Sequence, residues 1–323
     1  LRSRNAPITR VEFKDLAVAV IDEQHRFGVH QRLALTAKAS AAAPDLLVMT
    51  ATPIPRTLTL TVYGDMEVSR LDEKPPGRAP IDTRALPIDR LAEVVDGVKR
   101  AVTNGARVFW VCPLVEDSDV IDLAAAEDRY AHLRQTFGER VGLIHGRMKG
   151  PEKDAAMQAF VQGHIDVLVA TTVIEVGVDV PEATVMVIEH AERFGLAQLH
   201  QLRGRIGRGQ HAGTCLLLYQ TPLGATAKTR IKTMRETEDG FVIAEQDLKL
   251  RGAGEMLGTR QSGFPEFRLA DLAVHTDLLA TARDDVKLLL NKEPDLDGKR
   301  GAALRMLLYL FERDAAVAFL RSG

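Results

Sequence analysis

An acidic pair follows the first apolar run of the chain. Residues 16–21 read LAVAVI, which is too short for a helix and typical of a strand buried on both faces. Asp22 and Glu23 come next, at the end of a strand where parallel sheets bind their ligands. An aspartate there can hold Mg²⁺ through its oxygens, and a glutamate can orient and deprotonate an attacking water. Taken alone, such a pair is also typical of a solvated strand end.

Two threonines follow the second apolar run in the same way. Residues 46–49 read LLVM, and Thr50 and Thr52 come directly after them. We expect both hydroxyls at the sheet edge that carries the acidic tetrad of residues 22–25, where they can hydrogen-bond to it. Helix capping by a threonine is the alternative explanation.

A basic segment further along could hold a phosphate. In the stretch QLRGRIGR, helical spacing puts Gln201, Arg205 and Arg208 on one face. Guanidinium groups form bidentate, charge-assisted bonds with phosphate and stabilise the charge of a transferring phosphoryl group. A solvated basic helix end is the alternative. It leaves unexplained why Gly204 and Gly207 stand inside a helix, at a cost on the order of 1 kcal/mol each.

Two further strand ends carry polar residues. After the apolar run at residues 166–170, Thr171 and Thr172 can hold a DNA phosphate, while Gly177 and Asp179 can approach a nucleotide. After the run VGLI, His145 and Gly146 are candidates for another phosphate contact, with Gly146 contributing its backbone N–H. A structural role is the alternative for His145.

The elements that must position these residues alternate between strand and helix. A breaker at residues 72–82, DEKPPGRAPID, predicts an extended linker. The alternation beyond it predicts a parallel sheet with right-handed crossovers. Strands are predicted at Val108–Val111, Val141–Ile144, Asp166–Ala170, Thr184–Ile188 and Thr214–Tyr219, with intervening helices that include Asp119–Phe137 and Pro151–Gln162.

The pattern changes after the last of these strands. Ala225–Glu238 and Phe241–Leu250 are predicted as two amphipathic helices, and a glycine-rich stretch, Arg251–Gly263, follows them. The first helix carries the most basic local run of the chain, which could contact phosphates without reading bases or form a solvated face. Its members are Lys228, Arg230, Lys232 and Arg235.

Composition limits the classes of partner. The net charge of −2 excludes a globally basic surface, so any nucleic-acid contact must be a local patch. No window has the apolar length of a membrane span, which predicts a protein without a membrane partner and in the cytoplasm. Cys112 and Cys215 lie in apolar runs and are predicted to be buried, reduced thiols.

Taken in order, the motifs resemble those of a known enzyme class. DEQH, TAT, ATTVIEVGVDVP and QLHQLRGRIGR resemble motifs II, III, V and VI of superfamily-2 helicases. TATPIPRT resembles the RecG, PriA and transcription-repair coupling translocases, and residues 235–263 look like the translocation element (TRG) of RecG and the coupling factors. DEQHRFGVHQR resembles RecG more closely than the coupling factors. The likeness covers residues 16 to about 265.

The resemblance implies an α/β fold with RecA-like domains. Residues 1–75 would be the carboxy-terminal part of a first RecA-like domain, 76–83 a linker and 84–221 a complete second RecA-like domain. Residues 222–265 would form the TRG helical hairpin and loop, and residues 266–323 a carboxy-terminal helical region.

The resemblance also implies residue roles, with ATP and Mg²⁺ as cofactors. Asp22 would be the Mg²⁺ ligand and Glu23 the general base, while Arg205 and Arg208 would contact the γ-phosphate from the second domain. The remaining assignments fall into two groups. Nucleotide binding and coupling are assigned to Gln24, His25, Thr50, Thr52, Gly177, Asp179 and Gln201; DNA binding and translocation are assigned to His145, Gly146, Thr171, Thr172, Arg251, Arg260 and Gln261.

The implied function is remodelling of stalled forks and Holliday junctions by an ATP-dependent helicase that binds branched or duplex DNA. Single-strand DNA-binding protein is a further implied partner, and the implied state is a nucleoid-associated monomer. The alternatives are a translocase that acts on RNA polymerase and a non-catalytic DNA-binding remnant. The 323 residues contain no GxxxxGK[ST] phosphate loop, and Gly298-Lys299 is followed by Arg300. We therefore expect a fragment without the phosphate loop and the DNA-binding wedge, with little ATPase activity alone.

Overall fold

A computed structural model describes nine stretches of the chain. They are residues 16–22, 44–50, 68–71, 73, 77–113, 119–171, 180–209, 211–251 and 275–311. The chain divides into two compact units, which are considered separately below. The first combines Leu1–Asp65 with Leu257–Gly323, and the second is the continuous segment Met66–Met256.

Strands and helices alternate through most of the described residues. The strands there are β1 (Val18–Ile21), β2 (Asp45–Val48), β3 (Ile81–Pro87), β4 (Arg107–Val111), β5 (Val141–Ile144), β6 (Val167–Ala170), β7 (Ala183–Ile188) and β8 (Gly213–Tyr219). The α-helices are α1 (Leu91–Thr103), α2 (Asp119–Phe137), α3 (Gly150–Val161), α4 (Leu196–Arg203), α5 (Ala225–Glu236), α6 (Gly240–Arg251), α7 (Thr276–Lys292) and α8 (Lys299–Leu310). None of these helices is long and apolar enough to cross a membrane.

The second unit is built on a six-stranded, fully parallel sheet. Its strand order is β3-β8-β7-β4-β6-β5. The central strands are apolar on both faces, and every residue of β6 is buried. This confirms the α/β class and the parallel sheet expected from the unbroken apolar runs.

Helices cover both faces of this sheet. On one face, α1 and α2 bury Val98 and Leu133 against Val108 and Trp110. On the other face, α3 and α4 bury side chains such as Phe160 against the opposite side of the strands, and α5 and α6 add to the same core. The unit is therefore doubly wound, as right-handed crossovers in two directions require.

An edge strand lies where the sequence predicted a linker. β3 begins at Ile81 and pairs in parallel with β8 from Gly213 onward, so residues 81–83 of the predicted linker belong to the sheet. The strand escaped prediction because its sequence, IDTRALP, is half polar and ends in proline. Both features are tolerated at a sheet edge, where one side of the strand has no neighbour.

The first unit contains a two-stranded parallel pair. β1 and β2 run in register from Val18 with Asp45 to Ile21 with Val48. Ala19 and Ile21 are buried, whereas Val18 is 56% exposed and Val20 57%. The prediction that β1 is buried on both faces is therefore wrong for the described structure. Its side chains alternate because only one face of this pair is covered.

Both cysteines are buried free thiols, as predicted. Burial raises the pKa of Cys112, with a further contribution from nearby Glu189, and burial raises the pKa of Cys215 to about 12. The neutral thiol is therefore the form that each site holds, and the two behave as small apolar side chains.

The core of the second unit gives a test of the packing. Phe160 of α3 is fully buried and meets the ring of Phe109 with ring centres 4.8 Å apart. Phe160→Ala should lower the free energy of unfolding by about 3–5 kcal/mol, because it leaves a cavity in a packed core. Urea unfolding followed by Trp110 emission measures this. Val161→Ala is the control, since Val161 is 39% exposed, and equal losses for both variants would contradict the assigned packing.

Candidate functional site

Asp22 and Thr50 follow neighbouring strands at one sheet edge. The amide of Met49 donates to the carbonyl of Ile21 at 2.7 Å, which extends the parallel ladder just past the two strands. The structure thus brings Asp22 and Thr50 to the carboxyl ends of β1 and β2, as the sequence predicted. Glu23, Gln24, His25 and Thr52 lie outside the described residues.

Asp22 is an exposed carboxylate at this edge. Magnesium in nucleotide sites is typically held by one or two carboxylates together with phosphate oxygens and waters. The chemistry of Asp22 therefore fits a Mg²⁺ that arrives with a nucleotide.

The arginines of the basic segment stand on a turn rather than on a helix. Helix α4 ends at Arg203, Gly204 is its C-cap, and Gly207 has a φ of +64°. Arg205 and Arg208 therefore do not share a helix face with Gln201, and the predicted helical spacing is wrong. The left-handed backbone at Gly207 is one that glycine adopts without strain, so no helix-interior glycine has to be explained.

Several contacts hold this turn, residues 204–208. The carbonyl of Gly204 accepts from Nε of Arg208 at 3.1 Å and from Nη2 of Arg78 at 3.3 Å. The amide of Gly207 donates to the carbonyl of Ala183 at 3.3 Å. A Cβ on Gly207 would meet the side chain of Ile81 at 3.4 Å, so the turn packs closely on the edge strand. Arg205 is half-buried and Arg208 exposed, which places two cationic groups on a fixed backbone.

His145 and Thr171 lie at the carboxyl ends of the adjacent strands β5 and β6. The amide of Thr171 donates to the carbonyl of Ile144 at 3.2 Å, and the carbonyl of Gly146 accepts from Nζ of Lys153 at 2.9 Å. Two buried side-chain atoms here, Nδ1 of His145 and Oγ1 of Thr171, have no hydrogen-bond partner among the described residues.

Most of the other predicted site residues are not among those that the structure describes. Thr172, Gly177, Asp179, Arg260 and Gln261 lie outside the described residues. Arg251 is the last residue of α6.

The four cationic residues of the basic run on α5 do not all lie on the same face of the helix. Lys228, Lys232 and Arg235 are exposed and follow the spacing of one helix face. Arg230 is half-buried, and its Nη1 donates to the carbonyl of Phe194 at 3.4 Å. Three of the four predicted cations are therefore exposed on one helix face, where Lys232 also pairs with Glu236 at 3.7 Å.

Comparison with known proteins shows the family to which the chain belongs. The model of the helicase conserved C-terminal domain matches residues 88–210, and the model of the C-terminal part of domain 3 of the ATP-dependent DNA helicase RecG matches residues 237–310. The curated relative named "ATP-dependent DNA helicase RecG" from Pasteurella multocida is 52% identical over 293 residues, which are 90% of this chain and 42% of the relative. The chain belongs to the RecG family.

A second curated relative and a solved structure point to the same family. The RecG protein of Escherichia coli K12 is 55% identical over 267 residues, 81% of this chain and 38% of that protein. A solved structure of RecG bound to a three-way DNA junction has a TM-score of 0.65 and 45% identity, over 83% of this chain and 34% of that chain. The chain thus spans about two fifths of the length of the curated RecG relatives that it matches.

Arg203 connects the segment that the helicase C-terminal domain model matches to the end of α5, where the match to RecG domain 3 begins. Arg203 is 2% exposed, and its Nη1 donates to the carbonyls of Met234 at 2.7 Å and Thr237 at 3.0 Å. These carbonyls belong to the end of α5, so the last residue of α4 caps a helix of the following segment. Burial lowers the pKa of Arg203 from its ordinary value.

Sequence reasoning missed Arg203, although a signal was present. It stands seven residues after Leu196 and four after Leu199, both fully buried, so helical spacing places it on the buried face of α4. A charged residue on that face needs buried acceptors, and in this RecG-family chain the end of α5 provides them.

Replacement of Arg203 tests this connection. Arg203→Met should lower the free energy of unfolding by about 2–3 kcal/mol, because it leaves the carbonyls of Met234 and Thr237 without their charged donor. Urea unfolding followed by Trp110 emission is the measurement. Arg193→Met is the matched control, since Arg193 is exposed and should change stability by less than about 0.5 kcal/mol. Equal stability of both variants would show that Arg203 does not hold the two segments together.

Proposed function

We propose that this chain is part of an ATP-driven motor that moves on double-stranded DNA and remodels stalled replication forks and branched recombination intermediates. Two findings support the proposal. The curated relatives bear the name ATP-dependent DNA helicase RecG, and a related RecG structure is bound to a three-way DNA junction. Single-strand DNA-binding protein would be a further partner, and the motor would act as a monomer in the cytoplasm, at the nucleoid.

The observation that carries the proposal is the pair of polar atoms without partners at the ends of β5 and β6. A buried polar atom left unsatisfied costs about 1–3 kcal/mol, so a ligand that supplies the missing hydrogen bond is favoured. A phosphate oxygen can accept from the hydroxyl of Thr171 and from Nδ1 of His145 when that nitrogen carries its proton. Phosphate contacts carry no base information, which suits a motor that travels over any sequence.

The proposed chemistry is hydrolysis of ATP, whose bond cleavage supplies the energy for movement. Asp22 would hold Mg²⁺, and Glu23 would orient and deprotonate the attacking water. The guanidinium groups of Arg205 and Arg208 would neutralise the charge that spreads over the transferring phosphoryl oxygens. Their placement on a held turn supports this role, because a fixed cation needs little reorganisation as the charge develops.

The remaining residues would connect the nucleotide to the DNA. Gln24, His25, Thr50, Thr52 and Gln201 would sense the nucleotide, with Gly177 and Asp179 shaping its site. Thr172 and Gly146 would extend the phosphate contacts, and Arg251, Arg260 and Gln261 would transmit movement to the duplex. The match of residues 237–310 to RecG domain 3 favours this function over coupling of repair to transcription.

Removal of one hydroxyl tests the DNA contact. Thr171→Val keeps the shape of the side chain and deletes a buried donor that has no partner, so stability should not fall. Its affinity for a labelled three-way junction should fall about tenfold, because a hydrogen bond to a charged phosphate is lost.

Fluorescence anisotropy at one fixed salt concentration measures the dissociation constant. Thr103→Val is the matched control, since Thr103 is exposed and ends α1 at the opposite edge of the sheet. Unchanged affinity of Thr171→Val for the junction would exclude Thr171 as a phosphate contact.

The ATPase activity can be tested in the chain alone and in a full-length hybrid protein. Because its sequence lacks a GxxxxGK[ST] loop, we expect the chain alone, with junction DNA, to release phosphate no faster than its Asp22→Asn variant. In a hybrid where this chain replaces the matching region of the Escherichia coli K12 relative, DNA-stimulated hydrolysis should be present. Arg208→Gln should then lower the kcat of the hybrid by roughly 10³-fold.

Arg84→Gln is the control in the hybrid, because Arg84 is exposed and pairs with Asp82 away from the turn. DNA-stimulated hydrolysis by the isolated chain that Asp22→Asn abolishes would refute the expected inactivity. A hybrid that is equally active with and without Arg208→Gln would remove that arginine from the mechanism.

A further inference from the structure

The sheet of the second unit changes its winding direction between β4 and β7. The chain leaves β4 through α2 towards β5, on one side of the sheet order, and leaves β7 through α4 towards β8, on the other side. The two connections diverge on opposite faces, which opens a crevice outside the carboxyl ends of these strands. Open α/β sheets bind ligands in such crevices.

A pocket of about 480 Å³ lies at this point. Its lining includes Cys112 and Pro113 after β4, Glu189 and His190 after β7, and Arg129 of α2. The volume is within the range of roughly 300–1,000 Å³ that is usual for small-molecule sites.

A buried polar network forms one wall of the pocket. Glu189 accepts from Nε1 of Trp110 at 2.5 Å and from Nε and Nη2 of Arg129 at 2.5 and 3.0 Å. The carboxylate is thereby neutralised and the guanidinium is held in one orientation. The remaining nitrogen of Arg129, Nη1, has no hydrogen-bond partner within the described ranges, so the network presents a fixed donor.

The rim adds further polar groups, and the rest of the wall is apolar. Arg193, Asp128 and His132 line the pocket and are exposed, and the side chain of Arg193 has no ion-pair or hydrogen-bond partner in the part of the chain that the structure describes. Ile88 and Ala125 line the pocket as well. One ligand would therefore meet an apolar surface and two arginines together.

The backbone at the pocket is strained. His190 has a φ of 49° and a ψ of 47°, a left-handed conformation that is unfavourable for a residue with a side chain. Such residues persist where the surrounding structure fixes them, and they are concentrated at ligand sites. The strain is thus a second observation, independent of the cavity, that points to this crevice.

We propose that the pocket binds one nucleotide unit. Its phosphate would lie on Arg193 and Nη1 of Arg129, its base against the apolar wall, and Asp128 could accept a hydrogen bond from an exocyclic amino group. The proposal rests on the proposed function, because the strand order runs from this pocket along the same sheet edge to Thr171 and His145. A free mononucleotide and an unpaired nucleotide of a DNA strand share this chemistry.

The fluorescence of Trp110 can report binding to the pocket. Trp110 is the only tryptophan of the sequence, and its indole nitrogen is bonded to the same carboxylate that holds Arg129. We would titrate the full 323-residue chain with deoxyadenosine monophosphate, with deoxyribose 5-phosphate and with a short oligodeoxyadenylate, and follow Trp110 emission. The mononucleotide and the oligonucleotide should both change the emission with saturation, and the sugar phosphate should bind at least tenfold more weakly because it lacks the base.

Matched variants decide the assignment. Arg193→Gln should raise the dissociation constant of the mononucleotide about tenfold, because a charge-assisted bond to phosphate is lost, without changing urea stability. Arg84→Gln should leave it unchanged. Saturation by the oligonucleotide alone would support a nucleotide site that is filled from a DNA strand.

Two results would overturn the proposal. One is equal affinity of the unaltered chain and Arg193→Gln for both nucleotide probes. The other is an unchanged emission with every probe. Thr171→Val separates this proposal from the DNA contact described above, since it should weaken junction binding and leave mononucleotide binding intact. A chain that binds junction DNA without filling the pocket would therefore retain the proposed function and lose only the nucleotide site.

Discussion

The parallel hydrogen-bond ladder of the second unit is the constraint on which its chemistry depends. Because all six strands run in one direction, the residue that follows each strand is delivered to the same edge. Thr171, His145, Cys112 and Glu189 meet there although up to 77 positions separate them in the sequence, from 112 to 189. A reversed strand would send its terminal residue to the far side of the sheet.

Two guanidinium groups of this unit, the partly buried Arg129 and the buried Arg203, are satisfied in different ways. Arg129 is paired with a buried carboxylate, so charge is matched by charge. Arg203 is bonded to the carbonyls at a helix end, where the dipoles of the peptide groups supply the negative potential. The first arrangement leaves one nitrogen of the guanidinium for a ligand. The second uses the guanidinium to join two segments of the chain.

Much of this structure could be predicted from the sequence, for a physical reason. Central parallel strands are apolar on both faces, so β4, β6, β7 and β8 appear as apolar runs close to their observed bounds. β5, which ends the strand order, is also an apolar run. The edge strand β3 has no such signature, because its polar residues face solvent. Site residues that directly follow strands could also be predicted, because the end of a strand fixes where its next residue lies.

Features that depend on tertiary contacts could not be predicted in this way. The end of α4 at Arg203 depends on the packing of Gly207 against Ile81, which lies more than a hundred residues earlier in the sequence. The pairing of Arg129 with Glu189 joins residues of two elements with no shared pattern. The pocket between β4 and β7 follows from the strand order, which a linear pattern of apolar residues does not contain.

The division of the chain into two units has a consequence for biosynthesis. The second unit is one continuous segment, so it can fold as soon as Met256 has left the ribosome. The first unit combines residues 1–65 with residues 257–323, so its two parts can meet only after the second unit has been translated. Val18 and Val20, which are exposed on β1, belong to residues 1–65, the part of the first unit that is translated first.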